Sequence, residues 1–268
     1  MSRADRAGGF PDVGRQRGPQ AGTAAWTRPA LFWVDDVPAG GEVVLDGPEG
    51  RHAATVRRTR VGEHLLLTDG AGLRVEGVVV AVGAGTLDLR VVSVAGDPEP
   101  TPRFVLVQAL AKNDRDDQAI EAATECGVDE VVPWQASRSV VQWRGERGEK
   151  ARRKWDAVLV AATKQSRRTR RPVLAPTATT AEVAARVRDA ASTFVLHEDA
   201  TRPLAGVTLP DGGDVLLVVG PEGGVTPDEL ELLTQAGAVA VRLGSTVLRS
   251  SSAGPAALAV LSATSRWR

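Results

Sequence analysis

Two glycine-bearing segments carry the chemical potential of this 268-residue chain. They are Gly220-Pro221-Glu222-Gly223-Gly224, and Leu243-Gly244-Ser245 running through Leu248-Arg249 into Ser250-Ser251-Ser252. Each follows a run apolar enough to be a strand. At the carboxyl ends of strands in an open α/β sheet, unpaired backbone amides and helix N-termini converge, so ligands collect there. Glycine lets a planar ligand approach the main chain closely. A tight strand-to-helix turn without a ligand explains a lone GPEGG equally well. No Lys-Ser/Thr follows the glycines and their spacing is not GxGxxG, so neither a P-loop nor a dinucleotide fingerprint is present.

Hydrolytic and metal chemistry find less support. Serines 250 to 252 have no GxSxG elbow around them, and only His52, His64 and His197 are available as an imidazole base. Serines clustered like this more often serve as an N-cap and loop. Three scattered histidines make no metal site, and a single cysteine, Cys126, excludes an internal disulfide and a cysteine-rich zinc site. Among apolar neighbours on a helical face, Cys126 reads as a buried thiol rather than a nucleophile. With no secretory h-region and no apolar run near the ~20 residues that span a bilayer, the expectation is a cytoplasmic protein without a membrane partner.

Charge is informative once it is partitioned. The total is 33 Lys+Arg against 33 Asp+Glu, which excludes a histone-like binder. Residues 138–171 nevertheless carry 12 basic against 3 acidic residues, offset by acidic stretches on both sides. A solvated helix face is the ordinary meaning of such a run. Arg167, Arg168, Arg170 and Arg171, past a helix end and before Pro172, favour RNA, because arginine forks suit phosphate.

The elements that must position these groups fall into two textures. Residues 1–27 read as a disordered extension or leader. Over residues 42–95, β-branched runs at 42–45, 64–68, 73–82 and 86–94 alternate with the glycine turns DGPEG, DGAG and GAG, predicting a small antiparallel barrel or meander. Residues 96–103 read as a proline-rich linker. Beyond it, strands at 104–110, 128–134, 194–196, 215–219 and 239–243 alternate with helices at 114–126, 146–165, 181–190, 226 onward and 252–261. That alternation predicts an α/β domain with a mainly parallel sheet. Thr226, Pro227 and Glu229 make a capping box with proline at N1.

Several motifs in their order resemble the RsmE-type 16S ribosomal RNA (uracil-N3)-methyltransferases of the SPOUT superfamily. They are Lys112-Asn113-Asp114-Arg115, Ala123-Thr124-Glu125-Cys126-Gly127-Val128, Gln165-Ser166-Arg167-Arg168 before Pro172, the GPEGG with Thr226 and Glu229, Leu243-Gly244, and Leu248-Arg249. Upstream, Arg28-Pro29, Leu31-Phe32, His52, Val56, Arg58 and Gly62 are similar to the family's PUA-like barrel. The resemblance implies a PUA-like β-barrel over residues 28–95 and a knotted SPOUT methyltransferase domain over 104–268. It also implies a cytoplasmic homodimer acting on 16S ribosomal RNA or the small subunit.

The implied cofactor is S-adenosyl-L-methionine, held by Leu196, His197, Glu198, Gly220, Pro221, Glu222, Gly223, Gly224, Leu243, Gly244, Leu248, Ser250 and Ser252. Arg58, Arg60, Arg115, Gln165, Arg168 and Arg171 would position RNA. Arg249 would stabilise charge developing on the uracil, its alternative being an ion pair with a nearby acid. Glu222 would accept a proton or fix its loop, and no other acceptor is assigned. The sequence departs from the family at Ser251, where an acid is usual, and at Lys164 in place of Glu. A ribose 2'-O-methyltransferase and a non-catalytic RNA-binding protein of the same fold are the competing readings.

Overall fold

The computed structural model describes residues 29–37, 40–112 and 114–267, so the expected extension over 1–27 lies outside the described residues. An amino-terminal sheet is built from β1 (Ala30–Trp33), β2 (Glu42–Leu45), β3 (His64–Thr68), β4 (Leu73–Val82) and β5 (Leu87–Gly96), in the order β1-β3-β4-β5-β2. Phe32, Leu45, Leu65, Leu67, Val75, Val79, Leu87 and Leu89 fill its core, and their alternation along each strand is what buries one face. Gly70 and Gly72, with φ of 78° and 103°, turn the chain between β3 and β4, conformations that L side chains rarely adopt.

Two features differ from the expected meander. β1 runs parallel to β3, the intervening thirty-odd residues supplying the crossover that a parallel pair requires. The DGPEG segment is not a hairpin turn. It opens helix α1 (Gly47–Arg51), with Pro48 in the first turn where its missing N–H costs nothing, and continues as a π-helical turn over His52–Val56.

The remaining chain follows as β6 (Arg103–Ala109), α2 (Arg115–Glu125), β7 (Glu130–Gln135), α3 (Gly145–Gln165), β8 (Val173–Leu174), β9 (Ala178–Thr179), α4 (Thr180–Asp189), β10 (Ser192–Leu196), β11 (Asp214–Val219), α5 (Pro227–Gln235), β12 (Val239–Val241) and α6 (Ser250–Ala263). The sheet order is β12-β10-β11-β6-β7-β8, with β9 also on β7, and every pairing is parallel. Both faces are covered, so the central strands read as continuous apolar runs. On β6, Phe104 and Leu106 pack with Ile120 of α2, Trp155 and Leu159 of α3 and Leu258 of α6, while Val105 and Val107 pack with Val183 of α4 and Leu233 of α5. Each such side chain contributes roughly 1.5–3 kcal/mol when fully buried.

The turn after α3 joins the two sheets. Thr169 O accepts from Gly72 N at 2.9 Å and from the Thr68 hydroxyl at 3.2 Å. Arg170 donates to Ala71 O at 2.5 Å and Asp97 O at 2.7 Å, and Arg171 N donates to Gly70 O at 2.8 Å. Near the end of α3, Lys164 pairs with Glu49 and lies 5.5 Å from the Trp33 ring centroid.

Candidate active site

Because β12, β10 and β11 are adjacent parallel strands, the segments that leave their carboxyl ends emerge side by side. They enclose a cleft of about 750 Å³, within the range of small-molecule and cofactor sites. Leu196, His197 and Glu198 contribute from the first segment, Gly220 to Gly224 from the second, and Leu243, Gly244, Leu248, Arg249 and Ser250 from the third. Only Ser252, of the residues expected to hold a cofactor, stands outside the lining, exposed in the first turn of α6.

The second segment has a shape that its residue types enforce. Gly224 has φ of 73°, and its N–H closes a turn on Pro221 O at 2.8 Å. A Cβ at Gly220 would stand 2.8 Å from Val225 Cγ2. The capping box forms as expected: the Glu229 N–H donates to Thr226 Oγ1 at 3.2 Å, and Glu229 Oε2 accepts from Thr226 N at 3.1 Å. Glu222 pairs with Arg115 of α2 at 3.1 Å. His197 Nδ1 accepts from the Asp199 N–H at 3.3 Å, tying down the first segment. Ser250 Oγ is buried, lines the cleft and has no hydrogen-bond partner among the described residues. Arg249 is exposed at the cleft and makes no ion pair among the described residues.

Arg138, Asp199 and Arg242 also line the cleft and were not expected there, whereas Ser245, Thr246 and Val247, which line it too, lie inside the Leu243 to Ser252 segment. Arg138 reaches it from the end of β7, a long-range placement with no local signature.

The residues expected to meet RNA lie on several elements and differ in exposure. Arg58 and Arg60 are exposed just past the π-helical turn, and Gln165 is exposed at the end of α3. Arg115 sits at the cleft, and Arg171 is half-buried against Asp156 at 2.6 Å. Arg168 requires a correction. It is 17% exposed, donates to Thr124 O at 2.8 Å and Val128 O at 2.7 Å, and lies 3.5 Å from Asp129. Its fork is spent on the end of α2 and is not available to phosphate. Cys126 is half-buried, and burial, with Glu125 adding to it, pushes its pKa above the ordinary value, which disfavours the thiolate.

Comparison with known proteins resolves what this cleft belongs to. The model of an RNA methyltransferase domain matches residues 97–262, and that of an RNA methyltransferase PUA domain matches residues 45–92. A Mycobacterium tuberculosis protein named Ribosomal RNA small subunit methyltransferase E is 48% identical over 243 residues, 88% of this chain and 93% of its own. The chain belongs to the ribosomal RNA small subunit methyltransferase E family.

Solved structures agree with that membership. A Legionella pneumophila protein, described as a methyltransferase in complex with the bound cofactor SAM, is 26% identical, with a TM-score of 0.72 over 89% of this chain and 98% of its own. A Neisseria gonorrhoeae methyltransferase E at 24% identity shares the fold, with a TM-score of 0.75 over 88% and 98% of the two chains. The methyltransferase E fold here thus joins a PUA-like amino-terminal sheet to a parallel α/β sheet of SPOUT type.

Proposed function

We propose that this chain transfers a methyl group from S-adenosyl-L-methionine to N3 of a uridine in 16S ribosomal RNA of the small subunit. The observation that carries the reading is the convergence of three strand-end segments on one cleft, with Arg249, which makes no ion pair among the described residues, exposed at it. The cleft suits an adenosyl group. It offers an unspent buried hydroxyl at Ser250 and a wall where a Cβ at Gly220 would strike its neighbours. When bound, the cofactor supplies an electrophilic methyl group on a sulfonium.

The chain's own residues bind, orient and stabilise. Main-chain groups of 220–224 and 243–250 hold the adenosyl portion, Leu196 and Leu248 supply apolar contact, and Glu198 accepts from hydroxyls. The Arg249 guanidinium offsets the negative charge that develops on uracil as N3 gives up its proton to solvent water, leaving the N3 lone pair to take the methyl group. Glu222, engaged by Arg115, fixes its segment. Arg58 and Arg60 take phosphates, with residues 28–95 as the RNA-holding domain, 96–103 as linker and 104–268 as the methyl-transfer domain.

The same reading makes the cleft segments a knot and the working unit a cytoplasmic homodimer with the cleft near the subunit interface. Val247 and Leu248, 74% and 39% exposed at the cleft, are apolar surface that a second copy would cover. A single-chain mass in sedimentation velocity would remove the dimer.

Incubation with labelled S-adenosylmethionine and small-subunit RNA, or particles from a strain lacking the modification, followed by nucleoside mass spectrometry, tests the activity. Label on uracil N3 is expected. Label on ribose, or tight RNA binding without transfer, would overturn it in favour of a ribose methyltransferase or a non-catalytic binder.

A further inference from the structure

Two arginines, Arg115 partly exposed and Arg138 exposed, grip the 220–224 segment from two sides, one through an ion pair and the other through a main-chain carbonyl and its own stem. The Arg115 side chain, paired with Glu222 at 3.1 Å, is 39% exposed and its partner 33%, and pairs that open hold weakly and exchange partners readily. Arg138 donates from Nη1 to Gly223 O at 2.7 Å. Its Cβ and Cδ lie 3.2 and 3.3 Å from where a Cβ on Gly223 would stand. The arginine stem therefore lies flat along the glycine while the fork holds its carbonyl, a contact that a Cβ at 223 would crowd by a few tenths of an ångström.

Arg138 is seated from behind by a buried carboxylate. The N–H of the preceding residue, Ser137, donates to Glu229 Oε1 at 2.8 Å, and the same oxygen accepts from the Thr180 hydroxyl at 3.0 Å. Glu229 Oε2 accepts from the N–H and the hydroxyl of Thr226 at 3.1 and 3.0 Å. At 4% exposure Glu229 meets little competing water. One carboxylate thus joins the starts of α4 and α5 to the connection between β7 and α3, and Arg138 extends that junction onto the cleft wall.

We infer that Arg138, seated by Glu229, is a positioning residue that holds the 220–224 segment in its cofactor-receiving shape. It acts through the Gly223 carbonyl rather than on the reacting atoms. The inference rests on the assignment of S-adenosylmethionine to this cleft. It explains why an arginine from a distant strand end belongs to the site, and why position 223 is glycine although its backbone needs no special φ.

Isothermal titration calorimetry of the full chain with S-adenosylmethionine, joined to steady-state kinetics, tests it. Arg138→Ala is expected to weaken binding at least tenfold with the ligand-free melting temperature unchanged. Arg138→Lys, which keeps the stem and one donor, recovers most of the affinity. The KM for the cofactor rises in step with its Kd while kcat stays near wild type, the signature of lost uniform binding. Wild-type affinity in Arg138→Ala, or a fall in kcat at unchanged Kd, would overturn the positioning role. No binding by the wild-type chain would instead overturn the cofactor assignment, and this inference with it.

Discussion

Glu229 shows what a single buried carboxylate does for this site. Burial pushes its pKa up, but hydrogen bonds from the Ser137 and Thr226 amides and the Thr180 hydroxyl outweigh that, and the net value lies below the ordinary 4.5. A depressed folded-state pKa contributes stability above the unfolded value, and that stability is lost as pH falls through the folded one. Glu229→Gln is therefore expected to cost about 1–2 kcal/mol near neutrality, the scale of charged hydrogen bonds exchanged for neutral ones. The difference from wild type should close as pH drops below 4.5. Denaturant unfolding of both proteins across that range checks it, and a pH-independent gap would mean the charge is irrelevant. The capping role of Glu229 is readable from Thr226-Pro227-Asp228-Glu229. Its bonds to Ser137 and Thr180 are not, because they span 92 and 49 residues of chain.

At the scale of elements, the arginine-rich turn after α3 is the instructive one. A count of charges finds it, but counts carry no direction. Thr169 and Arg170 face the amino-terminal sheet, and Arg168 faces the end of α2. Asp129, which Arg168 meets, also accepts from Arg266 at 2.5 Å and from the Phe104 amide at 2.8 Å, so the charge cluster is buried and shared. Arg168→Ala leaves the Val128 carbonyl and part of a carboxylate unpaired, while the Thr124 carbonyl keeps the Gly127 N–H at 3.1 Å, and the change is expected to cost on the order of 3 kcal/mol of stability. The salt dependence of RNA binding should stay as in wild type. Arg58→Ala and Arg60→Ala should do the reverse, each reducing the slope of log affinity against log salt by about one at little cost in stability. Thermal unfolding and salt-series binding separate the two classes, and a flattened slope for Arg168→Ala would restore it to the RNA surface.

Over the whole molecule, methyl transfer to RNA needs the amino-terminal sheet and the cleft held in a fixed relation. Arg170 is one of the joints, forking onto Ala71 O and Asp97 O, its guanidinium lying against Gly72, whose φ of 103° already favours glycine. The cleft itself is lined wholly from residue 115 onward. Arg170→Ala is therefore expected to leave S-adenosylmethionine affinity unchanged and to lower kcat/KM for RNA severalfold, since a misplacement remote from the chemistry costs rate through orientation. Calorimetry and RNA methylation assays on the same preparation read the two effects. Equal RNA turnover would show that the sheets need no rigid joint.

What could be read before folding was everything encoded locally. Period-two and continuous apolar runs located most strands of both sheets but not β1, β8 or β9, glycine turns placed two of the hairpin connections, and the glycine segments at strand ends marked nearly all of the cleft. Those signals are local because strand faces, caps and positive-φ turns depend on neighbours within a few residues. The parallel pairing of β1 with β3, the burial of Arg168 and the reach of Arg138 to Gly223 depend on which surfaces meet. Those contacts join positions tens of residues apart, where the energy of a side chain is set by what folding brings against it rather than by its own type.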